Sequence, residues 1–409
     1  MKHRKIAIVG CGIAGLASAI FLARAGHDVQ LFDKFDKPKA LGAGLLLQPT
    51  GLAVLSELGL AGKALRKGKR IHQLTGHVAN GGVEIFNIDY RDLHPGLFGV
   101  GIHRATLFDL LFAEVRKLKV PITAKTEIIS GKEQIDGKII LANAGNGEFG
   151  PFDIVVAADG ANSKLRAAHA EIRHDKPYPY GALWGVVDAL EFESDRLTQR
   201  YQAASKMMGI LPLGNSGKGP AKAALFWSLP VKDFEHARAQ GLELWQQEAI
   251  ALWPEAEPLI SQFQNFNQLT EARYSDTTLF GFSEGRMIFI GDACHVTSPQ
   301  LGQGANMALL DASALAHGLA SNETVLEALQ QLEKNRKDQT KFYCLASRWI
   351  TPFFQSNMGI AANIRDVTFP LMGKIKFTRT EMLRTLAGLK SGLFRHMPPE
   401  YFVYDEGKN

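Results

Sequence analysis

Ile6-Ala7-Ile8-Val9 runs straight into Gly10-Cys11-Gly12-Ile13-Ala14-Gly15. A strand-like run thus meets a G-x-G-x-x-G turn, and an uncharged helical stretch follows to Ala23. That order predicts a strand, a tight turn and a helix whose N-terminus faces an anion. The first glycine permits the turn. The second lets a phosphate approach the backbone, and the third lets helix and strand pack closely. The next strand-like stretch, Asp28 to Phe32, ends at Asp33. A carboxylate about 20 residues past the glycines suits the hydroxyls of an adenosine ribose. Together these features predict a βαβ dinucleotide site.

The same residues admit a second reading. Ile6 to Ala23 carries no charge and follows Lys2, His3, Arg4 and Lys5, as in a signal peptide or membrane helix. Three features oppose it: the glycine spacing, the β-branched start, and Arg24 followed by Gly26 as a helix stop. The composition is that of a soluble globular chain, 46% hydrophobic and 21% charged. A net charge of +5, with basic residues clustered only at 63–70, carries no nucleic-acid footprint. Cys11, Cys294 and Cys344 have no metal-ligand spacing, so no metal site and no disulfide framework are expected. A cytoplasmic, reducing location fits best.

A length of 409 residues allows two or three domains. A second glycine-rich segment, Leu41-Gly42-Ala43-Gly44 to Pro49, precedes a helix with Leu52, Leu55 and Leu58 inward. Asn80-Gly81-Gly82 predicts a hairpin turn, and Arg104 to Leu118 an amphipathic helix. Strand-like runs at 182–189, 207–213 and 223–229 predict a mainly antiparallel sheet, with a helix near 242–253. Met287 to Ile290 reads as another buried strand, with helices at 304–317 and about 325–345. The tail is helical and apolar-rich. The expected fold class is α/β. A discontinuous Rossmann-like dinucleotide-binding domain (1–70, 101–174 and 276–345) holds an inserted, mainly antiparallel domain (71–100 and 175–275), and helices follow over 346–409.

Three further segments sharpen the site: Asp159-Gly160-Ala161-Asn162-Ser163-Lys164-Leu165-Arg166, Gly291-Asp292-Ala293-Cys294-His295, and Pro299-Gln300-Leu301-Gly302-Gln303-Gly304-Ala305-Asn306. The first two follow strands and the third opens a helix. In this order and spacing, over about residues 5 to 315, the chain resembles the group A flavoprotein aromatic hydroxylases, the para-hydroxybenzoate hydroxylase superfamily. The resemblance implies FAD, with Gly10, Gly12, Ala14 and Gly15 at its pyrophosphate and Asp33 on its ribose. It places Arg104 near the pyrophosphate and ribityl chain. Asp159 belongs to a motif tied to FAD and nicotinamide cofactor, and Asp292 to a ribityl hydroxyl or the pyrophosphate. Pro299, Gly302, Gly304, Ala305 and Asn306 would lie against the isoalloxazine ring. Reduced flavin carries negative charge, which backbone N–H groups at a helix start stabilise by about 0.3–2 kcal/mol.

The implied activity is an NAD(P)H-dependent monooxygenase. It would hydroxylate an aromatic or other electron-rich, largely apolar small molecule with O2, through a flavin C4a-hydroperoxide. The flavin carries the difficult step, which accounts for the missing catalytic triad. NADH or NADPH would visit transiently, since no second G-x-G-x-x-G occurs. Met208, Leu211, Trp227 and Pro299 are candidate pocket residues; on strand-like runs, Trp184, Trp227, Met207 and Met208 also suit a core. His295 reads as structural rather than catalytic. The apolar C-terminal helices are expected to cap the substrate cavity, with a dimer contact or peripheral membrane contact as alternatives; the assembly is a monomer or homodimer. Competing functions are a related flavin reductase without oxygen insertion and a non-catalytic flavin-binding protein. The Trp-x-Trp-x-Ile-Pro signature of flavin halogenases does not occur.

Overall fold

Lys5–Val9 lies at the centre of a six-stranded sheet, between Ile154–Ala157 and Asp28–Phe32, with all three strands parallel. Met287–Phe289 extends the parallel set beyond Ile154–Ala157, Ser283–Glu284 adds an antiparallel edge, and Ile122–Thr123 closes the other side. Ile6, Ala7, Ile8 and Val9 are all buried, as both-face coverage of a parallel strand requires. The helix Ile13–Arg24 covers one face and is buried almost all round, which explains its uncharged sequence. The structure is a computed structural model that describes residues 2–37, 44–79, 82–189, 192, 194–217 and 219–405.

Register positions the site. Val9 lies opposite Phe32 on one side and Ala157 on the other, and Ala157 lies opposite Phe289. Four strands therefore end level at one edge, and the residues that follow are Gly10, Asp33, Ala158-Asp159 and Ile290-Gly291. Ligands of open α/β sheets bind at this carboxyl edge.

The second layer is an eight-stranded sheet, built chiefly from Ile172–Asp188, Arg196–Gln202, Lys206–Gly214, Lys222–Pro230 and Thr270–Leu279. It is antiparallel except where Arg196–Gln202 pairs in parallel with Gln73–Val78. Glu84–Asp89 forms its far edge, and His295–Val296 joins the other. A three-stranded sheet of Gly44–Leu47, Gly99–His103 and Lys69–Ile71 lies between the layers.

Most expected elements occur, with different bounds. The strand expected at 182–189 begins at Ile172, ten residues earlier. Arg196–Gln202 was not expected at all; its polar sequence hides an internal strand. The helix expected to end near residue 345 runs unbroken from Val325 to Phe354, so no boundary falls at 346. Asn80 and Gly81 of the expected turn, and Leu41, Gly42 and Ala43, lie outside the described residues.

Candidate cofactor site

Gly10 and Gly15 are demanded by the fold itself. A Cβ at Gly10 (φ +106°) would lie 2.3 Å from the Ala158 carbonyl oxygen, and one at Gly15 would lie 1.9 Å from that of Gly10. Gly12 differs, because a Cβ there would meet nothing within 4 Å. Gly12 is the N-cap of Ile13–Arg24 and no side chain caps that helix. Its first-turn N–H groups therefore face open space, ready for an anion. Asp33 is buried beside the turn: Oδ2 accepts from Cys11 N at 2.8 Å and Oδ1 from Phe35 N at 2.9 Å. Burial, and then the Asp33 carboxylate, push the Cys11 thiol well above its ordinary range. Cys11 is thereby kept a protonated, inert filler.

The Gly291-Asp292 turn sits between the first helix and the late helix Gly304–Ser321. A Cβ at Gly291 (φ +56°) would lie 3.0 Å from that of Ala14 and 3.3 Å from that of Ala308. Arg166 ties this turn to the Asp159 loop. Its Nη1 donates to the carbonyls of Asp292 (3.0 Å) and Ala293 (3.3 Å), and its Nη2 to that of Ala161. Ser163 caps the short helix that carries Arg166. Asp159 Oδ2 accepts from the backbone of Lys164 and Leu165, while Oδ1 is buried with no partner. Burial raises the Asp159 carboxyl above its usual range, only partly offset by Ser163 and the nearby N–H groups.

The late helix also starts uncapped. A Cβ at Gly304 would meet nothing within 4 Å, and Gly302 just before it adopts the left-handed conformation (φ +61°). Asn306 is fully committed to protein: Oδ1 accepts from Gln48 N (2.9 Å), and Nδ2 donates to the carbonyls of Leu46 (3.2 Å) and Gly302 (2.9 Å). It anchors the helix start to the strand Gly44–Leu47. Arg104 opens the helix Arg104–Lys117 as an exposed residue, with His103 as its cap. Pro299 is exposed and Asp292 half-buried.

Several supporting residues escaped sequence reasoning. Asp311, fully buried, accepts from Gly291 N (2.9 Å), His295 Nε2 (2.7 Å) and Arg336 Nε (2.8 Å). Burial would raise its carboxyl, but His295 and Arg336 outweigh that and hold it at about 2. The available signal was a lone carboxylate in the largely apolar Gly304–Ser321 helix. Gln48 was missed likewise. Its Oε1 accepts from Tyr90 OH at 2.6 Å, and its Nε2 is buried without a partner, 3.7 Å from where a Gly302 Cβ would lie.

The expected pocket residues divide between the two faces of the large sheet. Met208 and Trp227 project from the eight-stranded sheet into a core with Trp245, Leu252 and Phe263. Leu211 projects from the other face, beside Leu46 and Leu213. Alternate residues of a strand face opposite ways, so Leu211 cannot share a pocket with Met208 and Trp227.

Two uncapped helix starts, each with a glycine open to solvent, meet a buried acid and a turn held between them. That is the arrangement of a dinucleotide-binding α/β fold. Comparison with known proteins agrees. A family model described as FAD binding domain matches residues 3–340. The 3-amino-4-hydroxybenzoate 2-monooxygenase PtnB3 of Streptomyces platensis is 28% identical over 90% of this chain and 93% of its own length. The 6-hydroxynicotinate 3-monooxygenase of Bordetella bronchiseptica is 25% identical, over 76% of this chain and 81% of its own. The structure of Klebsiella pneumoniae HpxO complexed with FAD and uric acid superposes with a TM-score of 0.78 at 19% identity, covering 94% of this chain and 97% of that one. The chain belongs to this FAD-binding family, as a group A flavoprotein hydroxylase of the FAD-dependent monooxygenase class.

Proposed function

We propose that the protein uses NADH or NADPH and O2 to hydroxylate a flat, electron-rich, largely apolar aromatic molecule in the cytoplasm. The observation that carries this reading is the packing of Gly291 between Ala14 and Ala308, which brings both open helix starts to one place. Bound FAD, once reduced, supplies the oxygen-transfer chemistry. The names of the relatives, which act on aminohydroxybenzoate and hydroxynicotinate, support an aromatic substrate.

The residues have distinct tasks in this reading. Gly12 leaves room for the pyrophosphate at the first helix start, and Gly10, Ala14 and Gly15 allow the close packing that holds that start in place. Asp33 takes the ribose hydroxyls on lone pairs not used by Cys11 and Phe35. Asp292 would accept from a ribityl hydroxyl, or order the pyrophosphate only indirectly through its turn, since a carboxylate set directly against phosphate is repulsive. Arg104 offers an exposed cation near the pyrophosphate, and the Asp159 loop supports the turn that holds it. Gly304 and Ala305 would direct N–H groups at the ring; the Gly302 N–H is held by the Pro299 carbonyl at 2.9 Å, so Gly302 would serve by keeping the approach open, and Asn306 fixes the helix start. Pro299 and the Leu211 face of the large sheet bound the substrate space. In this reading the chain carries a cofactor part near 1–70, 101–174 and 276–345 and a substrate part near 71–100 and 175–275, with the strands Ile172–Asp188 and Thr270–Leu279 and the helix Val325–Phe354 running across the borders.

In this reading the tail covers the reacting centre. Gln303 Nε2 donates to the Leu386 carbonyl at 2.8 Å, and Ala387 and Leu389 pack with Leu46 and Leu211. Such a cover excludes water from the reacting centre. The test is a panel of phenols and hydroxylated N-heterocycles, followed by NAD(P)H consumption and product mass. A gain of about 16 Da, one oxygen atom, is expected. Product formed without O2 would instead establish a reductase.

A further inference from the structure

The helix Gly359–Lys374 turns its apolar side outward. Ile360, Ile364, Val367 and Leu371 recur at helical spacing and are all exposed, Ile360 by 74% and Val367 by 63%. A helix on a globular surface ordinarily buries such a stripe. Here its rotation is fixed from the other side. Arg365 is fully buried, donates to the carbonyls of Ala203 and Phe353 at 3.0 Å each, and lies over the rings of Tyr201 and Phe354. Buried Ala361 and Ala362 let the helix sit close to the body.

Beyond the helix, exposed Ile375 and Phe377 alternate with exposed Lys374 and Lys376. Among the described residues neither lysine has an ion-pair partner. Residues 359–396 hold seven Lys and Arg against two acids, Asp366 and Glu381. Both acids are already paired, Asp366 with Arg365 and Glu381 with Arg384 and Lys390. The net excess of this segment equals the +5 of the whole chain.

We propose that this face docks the protein on an anionic lipid bilayer. The helix lies flat, with the Ile360–Leu371 stripe in the acyl boundary and Lys374 and Lys376 at the lipid phosphates. The same face of a second copy would present the same cations, and both acids of residues 359–396 are already paired, so charge complementarity favours lipid over face-to-face self-association. Among the described residues no helix is long and apolar enough to cross a membrane, which suits lying on the surface. The inference goes beyond the proposed reaction, and its test needs no substrate.

The test is flotation of the holoenzyme with vesicles of phosphatidylcholine alone or with about one-third phosphatidylglycerol. The protein should float with the anionic vesicles, and raised salt should weaken this. An Ile364→Ser/Leu371→Ser variant and a Lys374→Glu/Lys376→Glu variant should each bind about tenfold more weakly or worse. Both should retain FAD, because the altered positions are exposed. Three results would overturn the proposal: no flotation with either vesicle, undiminished flotation of the lysine variant, or a dimer in light scattering that Ile364→Ser/Leu371→Ser dissociates.

Discussion

The guanidinium of Arg166 donates to the backbone carbonyl of Asp292 at 3.0 Å, joining two turns that lie 126 residues apart in the chain. Among the described residues no other side chain hydrogen-bonds one turn to the other. Arg166→Met should therefore weaken FAD binding about tenfold or more, since a hydrogen bond from a charged donor contributes about 1.5–3 kcal/mol. Arg166→Lys should restore little, because one ammonium cannot span the carbonyls of Ala161, Asp292 and Ala293 as a planar fork does. Fluorescence titration of apoprotein with FAD measures both.

Gly10 and Gly12 separate fold from ligand. Gly10→Ala must strain a positive φ and drive a methyl against the Ala158 carbonyl, so the apoprotein should lose about 1–3 kcal/mol or more. Gly12→Ala places its methyl in open space, so the apoprotein should melt within about a degree or two of wild type. Its FAD affinity should nonetheless fall at least as far, because the methyl takes the space left for phosphate. Melting curves of the apoproteins beside FAD titrations test the pair. Equal FAD affinity in Gly12→Ala and wild type would remove Gly12 from the site.

The βαβ start, its glycines and Asp33 were legible because local chemistry alone dictates them. The level strand ends that unite four motifs were not, since register is set by pairing between distant segments. Periodicity also could not say which face of a strand looks inward when both are apolar. Lys206–Gly214 is buried along most of its length, and so Met208 and Leu211 read alike. Asp311 was visible as a residue, but its partners come from residues 291, 295 and 336. Asn306 was expected beside the flavin; its bonds to Gln48 and Leu46, 258 and 260 residues away in the chain, could not be read from local sequence.

The two faces of the large sheet should respond differently. Met208→Ala opens a cavity in the core shared with Trp245 and Phe263, costing about 2–5 kcal/mol. KM for an aromatic substrate and FAD affinity should stay within about twofold of wild type, as expected for a site remote from the chemistry. Leu211→Ala opens a comparable cavity beside Leu46, whose carbonyl is held by Asn306. It should also raise KM and lower the product formed per NAD(P)H consumed. Urea denaturation together with steady-state assays distinguishes the two.

Asp311 links the Gly291 turn to His295 and Arg336 inside the protein. Its carboxyl is held at about 2, below the value of about 3.9 expected of an unfolded chain. The folded state thus favours the ionised form, which stabilises fully above about pH 4 and loses that effect as the pH falls towards 2. Asp311→Asn removes the charge at every pH and leaves Arg336 buried without its anion, a loss of about 3–5 kcal/mol. The stability gap between wild type and Asp311→Asn in urea should therefore be large and level near neutrality and shrink below about pH 4. The variant should also release FAD more readily, because Gly291 N loses its charged acceptor and the turn between Ala14 and Ala308 loosens. A gap that persisted unchanged to pH 2 would show that the Asp311 carboxylate is not what holds the turn.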